Sequence, residues 1–174
     1  IPFYTAPMSR GLIPEDHPVS FPAARSTAMR EADVVLVVGT RLNWMMNYGK
    51  RFNPSARIIQ IDIDESELGH NQNIELGIFG DAKAVMAQLN EAADGSRPDF
   101  AGALESPWVV NLRQADQERL ARSAPILNSD QTPIHPLRLC KEITEFLDRD
   151  AIVSVDGNEI LHFGRQSIPT YYPG

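Results

Sequence analysis

The unbroken run Val34-Val35-Leu36-Val37-Val38, closed by Gly39, constrains this chain more than any other feature. Continuous branched aliphatic residues ended by a glycine fit a strand buried on both faces of a parallel sheet. The residues before it, Ala23 to Arg30, are rich in helix formers. After an irregular stretch through Asn47-Tyr48-Gly49, further strands are expected at residues 57–64 and 74–79, and Gly80-Asp81 then opens a helix. In that helix Ala82, Val85, Met86 and Leu89 recur at spacings of three and four, with Asp81 placed as N-cap. Strands alternating with helices imply an open α/β sheet with right-handed crossovers.

A chain of 174 residues with 43% hydrophobic and 22% charged residues can bury one real core, as one domain or as one plus a fragment. The net charge of -7 opposes a phosphate backbone or an anionic lipid surface, so neither nucleic acid nor membrane is expected as a partner. Cys140 is the single cysteine, which excludes an internal disulfide and fits a reducing, cytoplasmic compartment. Neither a spanning apolar run nor a targeting segment is expected. Ile1-Pro2-Phe3-Tyr4 reads like an interior strand, extending over residues 2–6, and Tyr171-Tyr172-Pro173-Gly174 stops in mid-loop. A piece of a longer protein is therefore expected.

The texture changes after residue 92. Asp94-Gly95-Ser96-Arg97-Pro98 should break structure, residues 95–130 have linker composition, and the polar segment 108–123 reads as a solvent-facing helix. A new unit is expected to start near Thr132-Pro133-Ile134-His135-Pro136, with His135 capping or preceding a helix and Leu137, Ile143 and Leu147 facing inward. A strand over residues 151–155 should then end in the polar turn Asp156-Gly157-Asn158-Glu159, at the end of a strand where open α/β sheets place ligands.

Three expected strand ends carry chemistry. Val38-Gly39-Thr40-Arg41 sets a glycine, which admits close approach, two residues before a guanidinium that can grip a phosphate by two parallel hydrogen bonds. Taken alone, it reads equally as a strand-ending turn with a surface arginine. Asp62 can accept from ribose hydroxyls, although Asp62, Asp64 and Glu65 also read as an acidic cluster starting a helix. Asp81 suits helix capping and can also orient a base. Gly-x-Arg, Asp and Gly-Asp on three successive strand ends form the pattern of an adenosine-diphosphate cradle. Neither G-x-G-x-x-G nor G-x-x-x-x-G-K-[ST] occurs, and no Gly-x-Ser-x-Gly turn supports a serine hydrolase. Cys140 reads as packing, Glu65 and Glu67 as a solvated face, and the four histidines lack ligand spacing.

With these residues in view, the stretch from Pro7-Met8-Ser9-Arg10-Gly11-Leu12-Ile13-Pro14 to Glu15-Asp16-His17-Pro18 resembles the loop opening the middle-domain ligand site of 2-hydroxyacyl-CoA lyases and oxalyl-CoA decarboxylases, thiamine-diphosphate-dependent enzymes. The resemblance continues through Ala23-Ala24-Arg25-Ser26, Ala32-Asp33-Val34-Val35, Val38-Gly39-Thr40-Arg41-Leu42-Asn43-Trp44, Ile59-Gln60-Ile61-Asp62-Ile63 and Gly80-Asp81. It resumes at Pro133-Ile134-His135-Pro136-Leu137-Arg138-Leu139 and from Asp156-Gly157-Asn158 to Gly164-Arg165, leaving 95–130 unmatched. It implies a Rossmann-like open parallel sheet with helices on both faces over residues 1–94, a linker over 95–130, and over 131–174 the first elements of a second α/β domain that binds the diphosphate of the cofactor.

The same resemblance implies cofactor-binding roles for Gly39, Thr40, Arg41, Asp62, Ile63, Asp81 and Ala82. Among them Arg41 would touch the diphosphate of ADP or of coenzyme A, Asp62 the ribose, and Asp81 with Ala82 the adenine edge. Gly157, Asn158 and Glu159 would lie at the phosphates of thiamine diphosphate, although Asp-Gly-Asn-Glu departs from the commoner Glu-Gly-Ala-Asn and leaves open whether Asn158 or Glu159 makes the contact. The full-length enzyme would hold thiamine diphosphate with Mg2+, act on an acyl-CoA, and assemble as a homodimer or homotetramer. Its activating glutamate would precede this chain and its Gly-Asp-Gly metal motif would follow it, so no catalytic or metal-ligating residue is expected here. Cleavage of a 2-hydroxyacyl-CoA is favoured over decarboxylation of oxalyl-CoA. An acetolactate-synthase-like carboligase with FAD in the middle domain, a noncatalytic adenine-nucleotide- or NAD-binding module, and a structural domain with a vestigial site stand as alternatives.

Overall fold

The computed structural model describes residues 1–96 and 101–173. They fall into two compact units, Arg25–Ala103 and a second made of Ile1–Ala24 with Leu104–Gly174.

In the first unit, helix α1 (Arg25–Glu31) precedes three parallel strands, β1 (Val34–Val38), β2 (Arg57–Asp62) and β3 (Leu76–Phe79), and helix α2 (Ala82–Ser96) follows them. The strand order β1-β2-β3 makes β2 the central strand. All three strands lie where branched and apolar residues cluster in the sequence, and the parallel sheet is of the expected α/β class, although 3₁₀ turns and not α-helices lie between the strands.

Registered residues of a parallel pair project to the same side, so Val35, Val37 and Ile58 share one face. That face is covered by Leu42, Met46, Phe52 and Ile74. Ile61, registered with Val38 and Ile78, projects to the opposite face and is fully buried. Helix α2 packs against β2 and buries Val85.

The expectation that β1 is covered on both faces fails at its start, because Val34 and Leu36 are 40% and 43% exposed. Cover on their side of the sheet reaches Ile61 but stops short of Leu36 and Leu76. Helix α2 continues through Asp94-Gly95-Ser96, where a break is expected, because no proline interrupts it there; Arg97 and Pro98 lie outside the described residues.

The second unit contains α3 (Pro107–Leu127), α4 (Pro136–Phe146) and α5 (Glu159–Ser167), with α4 packed on both other helices. Helix α3 is capped by Ser106, whose hydroxyl accepts from the Val109 amide. It occupies the segment read as a solvent-facing helix, but Val109, Leu112 and Asp116 form a buried stripe at spacings of three and four. His135 caps α4 as expected, its Nδ1 accepting from the Leu137 amide at 3.1 Å. Leu137, Ile143 and Leu147 are half-buried, and Cys140 is fully buried between them in sequence.

Long-range polar contacts tie residues 10–16 to the loops at residues 149 and 168–170 of this unit. Arg10 pairs with Glu15 at 2.6 Å and donates to the Ile168 carbonyl, while the Glu15 amide donates to the Thr170 carbonyl. Arg149 reaches Asp16 at 2.7 Å and stacks 4.0 Å from the centre of the Tyr171 ring. The hydrogen bond from Arg149 is the main cause holding the Asp16 carboxyl below the usual range.

Two expected strands do not form as ladders. Residues 2–6 contribute a single parallel bridge, Phe3 to Ser20, and residues 151–155 carry none. Ile152 stands 96% exposed. β-propensity describes residues that suit a pleated surface, but a strand needs a partner backbone to accept its amides, and among the described residues none lies alongside 151–155.

Burial pushes the Cys140 thiol above its ordinary value, which starves it of the reactive thiolate. In native buffer, Cys140 should react with a thiol-specific disulfide reagent at least about 100-fold more slowly than in denaturant, because reaction requires local opening. Labelling at equal rates in both conditions would show that α4 does not bury it.

Candidate functional site

The carboxyl ends of the three strands lie side by side. Val38 is registered with Ile61, and Asp62 with Phe79. The Gly39 amide donates to the Ile61 carbonyl at 2.9 Å, and the Gly80 amide to the Asp62 carbonyl at 2.9 Å. Backbone pairing therefore carries one step past each outer strand and brings Gly39, Asp62 and Gly80-Asp81 onto one sheet edge. Asp62, at the end of the strand next to β1, occupies the middle of this row.

Gly39 turns the chain at φ 55°, in the left-handed region that glycine enters freely, and a Cβ built there would meet nothing within 4 Å. The space above it is open to an approaching group. Thr40 is half-buried, and the chain then descends into the buried Leu42. Arg41 remains at the surface, its side chain 65% exposed, with Nε 2.9 Å from Oε1 of Glu67.

Asp62 is 8% exposed, and its Oδ1 accepts from the Asp64 amide at 3.0 Å. Ile63 projects outward and is 70% exposed. Asp64 caps the short 3₁₀ turn Glu65–Glu67, accepting from both the amide and the hydroxyl of Ser66. These bonds are the main cause holding its carboxyl below the usual range, with a smaller contribution from the charge of Arg41. Asp81 caps α2 as expected, accepting from the Ala84 amide at 3.0 Å, and Ala82 is the first helical residue.

Gly157, Asn158 and Glu159 belong to the second unit. Gly157 has φ 99° and donates its amide to Asp156 Oδ1, while Asn158 is the N-cap of α5 without a side-chain capping bond and Glu159 is its first residue. The polar turn is thus present at a helix start, not at the end of a paired strand.

The sequence reading missed Glu67, assigned to a solvated face. It is half-buried and ion-paired across 26 residues to Arg41. No spacing rule reaches that far; only the apposition of the two strand-end loops reveals it. It also left unread how the segment after Arg41 is shaped. Asn43 accepts from Met45 and caps the turn Trp44–Gly49, where Asn47 and Tyr48 both take left-handed angles. Gln72 donates to the Tyr48 carbonyl at 2.6 Å and holds that strained backbone in place.

Open α/β sheets place their ligands outside the carboxyl ends of their strands, and here those ends gather a glycine turn, a buried aspartate and a capped helix start. The profile of the thiamine pyrophosphate enzyme central domain matches residues 1–89, and the chain belongs to that family. It is 33% identical over 175 residues to human 2-hydroxyacyl-CoA lyase 1, 31% over 174 residues to the acetolactate synthase large subunit of Mycobacterium tuberculosis, and 29% over 176 residues to oxalyl-CoA decarboxylase of Escherichia coli. These alignments cover 99%, 100% and 99% of the chain and so run through residues 95–130 as well, but each covers 30% of the relative. The chain therefore spans under a third of the length of these curated relatives. Among the described residues, no helix is long and apolar enough to cross a membrane.

Proposed function

We propose that this chain is the nucleotide-binding part of a thiamine-diphosphate-dependent lyase that cleaves a 2-hydroxyacyl-CoA, or decarboxylates oxalyl-CoA, and that it binds ADP or the ADP portion of coenzyme A. The observation that carries this reading is the alignment of Gly39, Asp62 and Gly80-Asp81 on one sheet edge, with open space over Gly39. In this reading residues 1–94 form the nucleotide-binding domain and residues 131–174 begin the cofactor domain, within a cytoplasmic homodimer or homotetramer.

Each residue has a physical task. Gly39 and Thr40 let a diphosphate approach the backbone, and Arg41 supplies charge-assisted hydrogen bonds to it. Asp62, flanked by Ile63, offers its carboxylate to the ribose hydroxyls. Asp81 and Ala82, fixed at the start of α2, border the adenine.

The turn at Gly157 and the uncapped start of α5 at Asn158 and Glu159 suit the diphosphate of the second cofactor, because amides at a helix start attract phosphate. Bound thiamine diphosphate, held with Mg2+, supplies a nucleophilic carbanion for breaking or forming the bond next to an acyl-CoA carbonyl. The residues of this chain bind and orient; none is assigned a proton transfer.

Thermal-shift titration with ADP, coenzyme A, FAD and NAD tests the reading. Ligand at a hundredfold excess over its dissociation constant should stabilise the chain by about 2.7 kcal/mol. Arg41→Ala should weaken ADP and coenzyme A by about 10- to 100-fold through loss of a charge-assisted contact, and Asp62→Ala should act in the same direction. A response to FAD alone would favour a carboligase like the acetolactate synthase relative, and no response to any of the four would overturn the nucleotide site.

A further inference from the structure

We propose that Glu67 is the positioning residue for Arg41, holding its guanidinium at the strand-end edge ready for a diphosphate. The proposal rests on the reading of that edge as an ADP site.

The fixed member of the pair is the acid. The Glu67 side chain is 19% exposed, against 65% for Arg41. Its backbone is anchored twice: the Glu67 amide donates to the Asp64 carbonyl at 3.1 Å, and its carbonyl accepts from Gln60 Nε2 at 2.9 Å. Gln60 itself sits in the middle of β2, 1% exposed, and its Oε1 accepts from the Gly69 amide at 3.0 Å. A buried amide on the central strand therefore pins the loop over residues 64–70, and the loop carries the carboxylate to Arg41.

The close contact falls on Nε, the guanidinium nitrogen nearest the chain. The two terminal nitrogens form a second pair that can meet two oxygens of a phosphate. A long side chain restrained before its ligand arrives loses less conformational freedom on binding. Asp64 is a second carboxylate whose charge interacts with Arg41, and it is already committed to Ser66.

The alternative role for the same contact is competition, in which Glu67 occupies Arg41 and the ligand must displace it. The two roles predict opposite signs. Glu67→Gln keeps the shape and the backbone bonds of the loop and removes one negative charge from beside the site. Electrostatics alone would then tighten anion binding, so a loss of affinity can come only from loss of positioning.

Isothermal titration of the 174-residue chain with ADP, and with adenosine as a phosphate-free control, decides between them. Glu67→Gln should weaken ADP by about fivefold, the scale of one exposed ion pair, while adenosine affinity and the melting temperature stay unchanged. Glu67→Asp should recover part of the loss. In an Arg41→Ala background, Glu67→Gln should no longer weaken ADP binding, which a merely structural role would not produce.

Unchanged or tighter ADP binding by Glu67→Gln, with Arg41→Ala still impaired, overturns the positioning role and leaves the ADP site standing. If Arg41→Ala binds ADP as well as the parent chain, the ADP site itself fails and this proposal fails with it.

Discussion

Ile61→Ala lowers the stability of the sheet unit by about 3–4 kcal/mol. Ile61 is fully buried on the central strand, registered between Val38 and Ile78. The substitution removes three carbons, and at about 0.8 kcal/mol per buried methylene the transfer loss alone is roughly 2.4 kcal/mol. The cavity left behind adds to it, because strands held by ladders on both edges cannot close in. Ile61→Val removes one carbon and should cost about 1 kcal/mol. Urea titration followed by circular dichroism reads both, and a cost below about 1 kcal/mol for the alanine would mean that the sheet is not packed as described.

The effect should extend to the edge proposed to bind the nucleotide. The Ile61 carbonyl accepts from Gly39 and the next residue is Asp62, so relaxation of β2 disturbs two of the aligned strand ends together. ADP affinity should fall in Ile61→Ala even where the protein remains folded.

Asp116→Ala is expected to destabilise the second unit by about 2–4 kcal/mol. Its Oδ1 accepts from the Ala23 amide at 2.7 Å and the Ala24 amide at 3.1 Å, and the residue is 9% exposed. Both donors belong to the end of the turn Pro22–Ala24, and Arg119, one turn along α3, donates to the Ala23 carbonyl at 3.1 Å. Helix α3 thus supplies both an acceptor and a donor to a segment more than 90 residues earlier in the chain.

Hydrogen bonds to a charged group contribute about 1.5–3 kcal/mol, and a buried amide left without an acceptor costs about 1–3 kcal/mol. Asp116→Asn keeps an oxygen acceptor without its charge and should lose roughly half as much. Trp108 is the half-buried tryptophan of α3 and Trp44 is largely exposed, so tryptophan fluorescence in urea reports mainly on this unit. A midpoint unchanged in Asp116→Ala would show that α3 does not hold the turn.

What the sequence determined by itself is what neighbouring residues decide. The apolar run at Val34–Val38 places β1, the spacing of Val85 and Met86 behind Asp81 places α2, and His135-Pro136 marks the start of α4. Strand and helix periodicities, together with caps, act within a few residues, so they can be read along the chain. The candidate site was legible to the same extent: Gly39, Asp62 and Gly80-Asp81 each end a strand or begin a helix, and parallel pairing of successive strands is enough to align them.

Only the tertiary structure decided the rest, because each case depends on what lies across space. The alternating burial of β1 follows from cover that stops short of Leu36. Residues 151–155 have the composition of a strand and no partner to pair with. Asp116, on a helix read as solvent-facing, is buried because residues 23 and 24 return to it, and Glu67 meets Arg41 because the buried Gln60 pins its loop beside the strand end. A carboxylate on a polar segment looks the same in sequence whether water or a backbone amide solvates it; the fold alone chooses between them.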